Sequence, residues 1–289
     1  MFTNFDGQYI DVGEAEIHLQ KGGDGPPLLL LHGYPQTHVT WHKIAPQLAE
    51  KYTVVAPDLR GYGDSIGPDD PETADYANRV MAEDMVTVME ALGYDEYLLA
   101  GHDRGARVGY RFAFDHPERI RKLAVLDIVP TLETAEAMDY AYAKAMYHWL
   151  FLAQPHPIPE RLISHEPTFY VDHLIENWAE HPEELDDEAV AEYHRCFEQE
   201  SVVRASCEDY RAGLSIDLDH DRASREAGER IECPVLALWG AGSGTVSFDP
   251  LDVWERWATD VTGQGLSCGH FLPEEAPERT LEELRGFLL

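Results

Sequence analysis

The sequence predicts an α/β fold: a mostly parallel sheet flanked by helices and interrupted by an inserted helical cap. Three observations carry this. Short apolar runs alternate with amphipathic stretches across residues 1–130, the pattern of strands joined by crossover helices. From Thr131 to about Glu229 the chain turns to long helical stretches and prolines with no convincing strand, and after that the strand and helix alternation resumes. A chain of 289 residues is long enough for one large core plus such a cap.

The elements follow in order. Pro27–Leu31, Thr53–Ala56, Tyr97–Ala100 and Leu123–Leu126 are rich in Leu, Val and Ala and bounded by Gly, Pro or Asp, which marks them as strands. Between them, Trp41–Leu48, Asn78–Leu92 and Arg104–Phe114 carry helical spacing. After the cap, Val235–Trp239 reads as a strand, Leu251–Ala258 as a helix and the neighbourhood of Leu266 as a short strand, with a closing helix from Thr280. The expected division is therefore 1–130 and 230–289 as two parts of one core, with 131–229 as the cap.

Composition narrows the partners. Against 54 acidic residues stand 22 basic ones, a formal charge of −32, which argues against nucleic acid. No run approaches the roughly 18 apolar residues of a membrane span. Asp6, Asp11, Glu14 and Glu16 interrupt the N-terminus, so no signal peptide is expected and the location is expected to be cytoplasmic. Cys196, Cys207, Cys233 and Cys268 show neither C-x-x-C pairing nor zinc-like spacing and are expected to be free thiols. Scarce lysine and acidic runs such as Glu183–Glu188 resemble the surfaces of proteins from a salt-loaded, halophilic cytoplasm, with an ordinarily acidic protein as the alternative. The Debye length at molar salt is about 3 Å, so self-repulsion is expected to fade and stability to rise with salt.

Gly101-His102-Asp103-Arg104-Gly105 follows the run Tyr97–Ala100 and opens a helix. Small residues two before and two after Asp103 suit a turn too tight for side chains, one that pushes residue 103 into an exposed position at a helix N-terminus. The pattern G-x-S-x-G is the nucleophile elbow of the α/β-hydrolase fold, whose sheet is mostly parallel and eight-stranded; here the nucleophile slot holds Asp. A carboxylate attacks saturated carbon, so the replacement changes the reaction class. Alone, the pattern also fits an Asp that merely caps a helix. Partners in the order nucleophile, acid, histidine favour catalysis. His270, in Ser267-Cys268-Gly269-His270-Phe271, lies after the last strand, where the base belongs. The residue pattern leaves the acid open between Asp127, which ends a strand, and Asp249 or Asp252 after Val235–Trp239. Leu31-His32-Gly33-Tyr34-Pro35 supplies a loop whose backbone amides can hold an oxyanion.

Four segments together resemble the fluoroacetate dehalogenases, the haloacetate dehalogenase family. They are Gly101-His102-Asp103-Arg104-Gly105-Ala106-Arg107, Leu126-Asp127-Ile128-Val129-Pro130-Thr131, Tyr147-His148-Trp149 and Cys207-Glu208-Asp209-Tyr210-Arg211. The similarity runs from about Gly22 to the C-terminus and is weakest across Pro157–Ser206. It implies Asp103 as nucleophile, His270 as base and Asp127 as acid, and a homodimer. It also implies His148, Trp149 and Tyr210 as hydrogen-bond donors to the departing halide; an aromatic seam packing the cap is the alternative for these residues. The family has His-Gly-Phe-Pro where this chain has Tyr34, so Tyr34 bears on pocket shape, and Trp178 is expected to line the pocket as well.

Arg104 and Arg107 are i and i+3 on the helix that starts at the nucleophile, so both guanidinium groups can meet one anion. A substrate carboxylate is the expected guest, with solvated arginines paired to acidic neighbours as the alternative; Arg111 reads as structural or surface. The expected reaction is two-step dehalogenation of a small anionic haloacetate through an Asp103 ester, fluoroacetate giving glycolate and fluoride. No metal or organic cofactor is implied. Epoxide hydrolysis, with cap tyrosines such as Tyr140, Tyr142, Tyr147, Tyr170, Tyr193 or Tyr210 as acids, haloalkane dehalogenation and a non-catalytic binding protein of the same fold are the rivals.

Overall fold

The structure, a computed structural model, describes residues 1–289. Its sheet has eight strands: β1 (Phe5–Asp11), β2 (Glu16–Gly22), β3 (Pro27–Leu31), β4 (Thr53–Pro57), β5 (Tyr97–His102), β6 (Ile120–Leu126), β7 (Val235–Gly240) and β8 (Val261–Leu266). They lie in the order β1-β2-β4-β3-β5-β6-β7-β8. Strands β1, β2 and β4 pair antiparallel, and every pairing from β4 onward is parallel.

The continuous apolar runs are explained by burial on both faces of the sheet. Leu29 and Leu31, Leu99, Leu123 and Val125, and Val235 and Ala237 enter one hydrophobic cluster. Their neighbours Leu28, Leu30, Leu98, Ala100, Ala124, Leu126, Leu236 and Leu238 enter the other. With both sides apolar, no alternation survives in the sequence. Because the six strands β3 to β8 run the same way, the loops after them gather at one edge, where ligands bind in open parallel sheets.

Two local expectations are corrected. The N-terminal hairpin of β1 and β2 carries no strand signal in the sequence, because β1 is an edge strand with no fully buried residue. The single helix expected at Trp41–Leu48 is instead a 3-10 turn, His38–Trp41, and one helical turn, Ala45–Leu48. Pro46 has no N–H with which to continue a ladder from the first turn into the second. The closing helix begins at Pro277, three residues earlier than expected, with proline in its first turn where a missing N–H is harmless.

Between β6 and β7 the chain forms eight helices, from Thr131–Glu136 to Ile216–Ala227. No helix is long and apolar enough to cross a membrane. All four cysteines are free thiols.

Candidate active site

Asp103 sits between β5 and the helix Arg104–Asp115 with φ +43° and ψ −114°, a conformation that a side chain rarely tolerates. Close packing enforces it. A Cβ on Gly101 would come within 2.6 Å of the Ala106 backbone, and one on Gly105 would strike the carbonyls of Leu31 and His32. The Asp103 amide donates to the Leu126 carbonyl at 3.1 Å, and the Gly105 amide to His32 at 2.9 Å, so the ends of β3 and β6 fasten the turn. The Tyr34 amide donates to Asp103 Oδ2 at 3.2 Å. Burial would raise the Asp103 carboxyl, but His270 and Arg107 above all hold it below the ordinary range, so it is ionised.

His270 Nδ1 lies 2.6 Å from Asp127 Oδ2. The other Asp127 oxygen accepts from the Gly240 amide at 2.9 Å and from Ser243 Oγ at 2.6 Å. These bonds occupy the carboxylate on the side away from the imidazole and fix its plane. Burial pushes His270 down, yet the Asp127 hydrogen bond and charge, with Asp103 behind them, leave it raised overall. The other two acids are elsewhere: Asp252 pairs with Arg256, and Asp249 is exposed ahead of the helix Pro250–Trp257.

The two arginines do not converge as expected. A cavity of about 180 Å³ is lined by Asp103, Asp127, His270, Arg107, His148, Trp149 and Trp178 among others, and Arg104 is not on its wall. Arg104 is fully buried in a two-pronged ion pair with Asp209 of the cap, Nε to Oδ2 at 2.8 Å and Nη2 to Oδ1, with Asp217 3.9 Å away. The helical spacing was read correctly, but it could not reveal cap acids a hundred residues later in the chain. Arg107 is also buried, yet no carboxylate lies within ion-pair distance of it. Its Nη1 donates to the Val129 carbonyl at 3.1 Å and Thr131 Oγ1 at 3.0 Å, and its guanidinium stacks 4.6 Å from the centre of the Trp149 ring. Arg111 pairs with Asp115, a structural role.

The cap aromatics meet over Asp103. His148 and Trp149, on the helix Tyr147–Leu152, line the cavity. Burial lowers His148 to about 3, so its imidazole is neutral. Tyr210 is not on the cavity wall but packs edge-on against both, with ring centres 5.7 Å and 5.9 Å away. Burial and then the Asp103 charge keep its phenol protonated. The Tyr34 ring likewise stands behind the wall, against Tyr210, Phe197 and Trp178, and what Tyr34 offers the site is its amide. Trp178 lines the cavity, its ring 4.5 Å from that of His148 and 5.5 Å from that of His270.

Sequence reasoning missed Ser243 and Gly240, which orient Asp127, and Val129 and Thr131, which hold Arg107. Ser243 and Gly240 follow a recognised strand, and that position is the only signal they carried.

Relatives agree with this architecture. The profile of the alpha/beta hydrolase fold family matches residues 26–277, and the chain belongs to that family. Within it, a fluoroacetate dehalogenase from Burkholderia sp is 40% identical over 291 residues, spanning 100% of this chain and 95% of that protein. A soluble epoxide hydrolase from Corynebacterium sp. (strain C12) is 33% identical, over 94% of this chain and 93% of its own. Among solved structures, an alpha/beta hydrolase from Nostoc sp PCC 7120 superposes with a TM-score of 0.97 at 52% identity, covering 100% of this chain and 99% of that one. A mutant of a protein named as an epoxide hydrolase, from Pseudomonas aeruginosa and with MFA bound, gives 0.94 at 44% identity, over 99% and 96%.

Proposed function

We propose that this hydrolase removes halide from small 2-halo carboxylic acids, with haloacetate as the simplest substrate and fluoroacetate giving glycolate and fluoride. The observation that carries this reading is Arg107, a buried cation on the cavity wall beside Asp103 with no carboxylate partner of its own. A substrate carboxylate there would supply the missing counter-charge and present its α-carbon to Asp103.

The free oxygen of Asp103 attacks that carbon; a C–O bond forms, and the carbon–halogen bond breaks with its electron pair leaving on the halide. His148 and Trp149 line the cavity, and an imidazole or indole N–H can donate to the departing halide; the Tyr210 ring packs edge-on behind both. If each hydrogen bond to the departing anion contributes about 1.5–3 kcal/mol, together they lower the barrier by several kcal/mol. Esterification removes the Asp103 charge that helps hold a proton on His270, which favours the neutral imidazole at the step that needs a base. His270 then takes a proton from water, and hydroxide adds to the Asp103 ester carbonyl, whose oxygen the Tyr34 amide stabilises. The acyl C–O bond breaks, the alkoxide recovers the proton from His270, the 2-hydroxy acid leaves, and Asp103, freed as the carboxylic acid, loses its remaining proton to solvent.

Epoxide hydrolysis is the second reading. It is favoured by Tyr142, a cavity residue whose phenol burial pushes up to about 12, and by the relatives named for that activity. A fluoride electrode with fluoroacetate, run beside chloroacetate and a neutral epoxide, separates the two. Halide release is expected, and His270→Ala is expected to gain the mass of a carboxymethyl group as a trapped ester. Turnover of the epoxide alone would overturn dehalogenation, and turnover of none of the three would indicate a binding protein.

A further inference from the structure

Glu275, in the turn of helix Leu272–Glu275, is seven-hundredths exposed and touches no part of the cavity. Its carboxylate accepts four backbone N–H bonds. Oε2 takes those of Gly269 at 2.9 Å, Glu180 at 2.7 Å and His181 at 2.9 Å, and Oε1 takes that of Phe271 at 2.8 Å. Two of these amides flank His270 on either side; the other two follow Trp178 in the cap. The His270 amide itself donates to the Trp178 carbonyl at 2.9 Å. The histidine loop and the cap segment are thus stitched together, and one carboxylate supplies four of the five bonds. The fit leaves no slack, since a Cβ on Gly269 would collide with the Glu180 amide and the Trp178 carbonyl.

We propose that Glu275 is a positioning residue for ester hydrolysis: it holds the His270 loop in register with the cap segment carrying Trp178, so that the imidazole addresses water over the Asp103 ester. The chemistry of its contacts requires a carboxylate. All four partners are donors, so both oxygens must accept, and an amide in its place sets an NH₂ group against an N–H. Displacement of the His270 loop falls most heavily on ester hydrolysis, where His270 is the base; in the attack by Asp103 on the α-carbon His270 contributes only its charge, beside that of Arg107.

This inference rests on the two-step reading, and the test separates the two. Single-turnover halide release and intact mass are followed for wild type and Glu275→Gln, with thermal melting to verify folding. The halide burst is expected to change less than threefold. Ester hydrolysis is expected to slow by about 10- to 100-fold, the scale of an ångström-level misplacement, so that the ester accumulates as in His270→Ala. Glu275→Asp, which restores two accepting oxygens, is expected to recover part of the rate. If the variant folds and both steps keep their wild-type rates, or both fall together, the positioning role is overturned while the two-step reading stands. If His270→Ala forms no ester, the two-step reading itself fails. A variant too unstable to purify is replaced by Gly269→Ala, which wedges the same two segments apart and is expected to stall the same step.

Discussion

Arg104 and Arg107 stand three residues apart on one helix, and their surroundings assign them opposite work. Arg104 is neutralised by Asp209 in a fully buried pair, whereas Arg107 is held by a carbonyl and a hydroxyl that orient it without cancelling its charge. Removing one member of a buried pair strands the other, at about 3–5 kcal/mol. Arg104→Ala is therefore expected to lower the melting temperature by about 10 °C, at roughly 2–4 °C per kcal/mol. Arg107→Ala is expected to leave the melting temperature within a few degrees and to raise KM for a haloacetate about 10- to 100-fold, the loss of one charge-assisted pair. Melting curves and steady-state kinetics on the two variants check this, and a KM effect confined to Arg104→Ala would reverse the assignment. The sequence showed that two cations follow Asp103. It could not show which was free, because the deciding acid belongs to the cap.

At the scale of elements, the cap is docked on the core through buried polar groups. Glu274 is fully buried, with Oε1 accepting from Tyr193 of the cap at 3.0 Å and Oε2 accepting from Gln36 of the core. Burial raises its carboxyl from 4.5 to about 8. A folded-state value above the unfolded one means that its stabilising contribution is complete below about pH 4.5 and is lost as pH rises through about 8. Asp217 and Asp221, raised by burial to about 7 and about 6, act in the same sense. Glu274→Gln is expected to reduce the fall in melting temperature between pH 5 and pH 8, as measured by calorimetry at the two values; an unchanged fall would show that the carboxyl does not titrate there. The elements themselves were legible wherever burial imposed a pattern, as in β3, β5, β6 and β7. They were illegible where it did not, as in β1, and where Pro46 broke a helical stretch into two turns.

Over the whole molecule, a charge of −32 on 289 residues stores repulsion that pairing relieves only in part. Many of the surface cations are already engaged, among them half-buried Arg119 with Glu90, and exposed Arg225 with Glu136 and Arg279 with Glu282 and Glu283. Salt shortens the range of the remaining repulsion from about 30 Å at 0.01 M to about 3 Å at 1 M. The melting temperature is therefore expected to rise by several degrees between dilute buffer and molar KCl, and a flat or falling curve would contradict the argument. A strongly acidic protein can still collect an anion, because Arg107 is buried on the cavity wall, where nearby charges act at short range and remote surface acids are screened.

The sequence by itself determined the sheet, the elbow and the run of helices between β6 and β7. It also placed Asp103 and His270 after their strands. These features are local: an apolar run, a pair of glycines and a chain order are each written within a few residues. Tertiary structure decided the rest. It set Asp127 rather than Asp249 or Asp252 against His270, took Arg104 out of the cavity and left Arg107 in it, and gathered four amides on Glu275. Each of those outcomes depends on charges or donors separated by up to 143 residues meeting in a space that excludes water. There a buried charge must find its partner, and only the folded chain shows which one it finds.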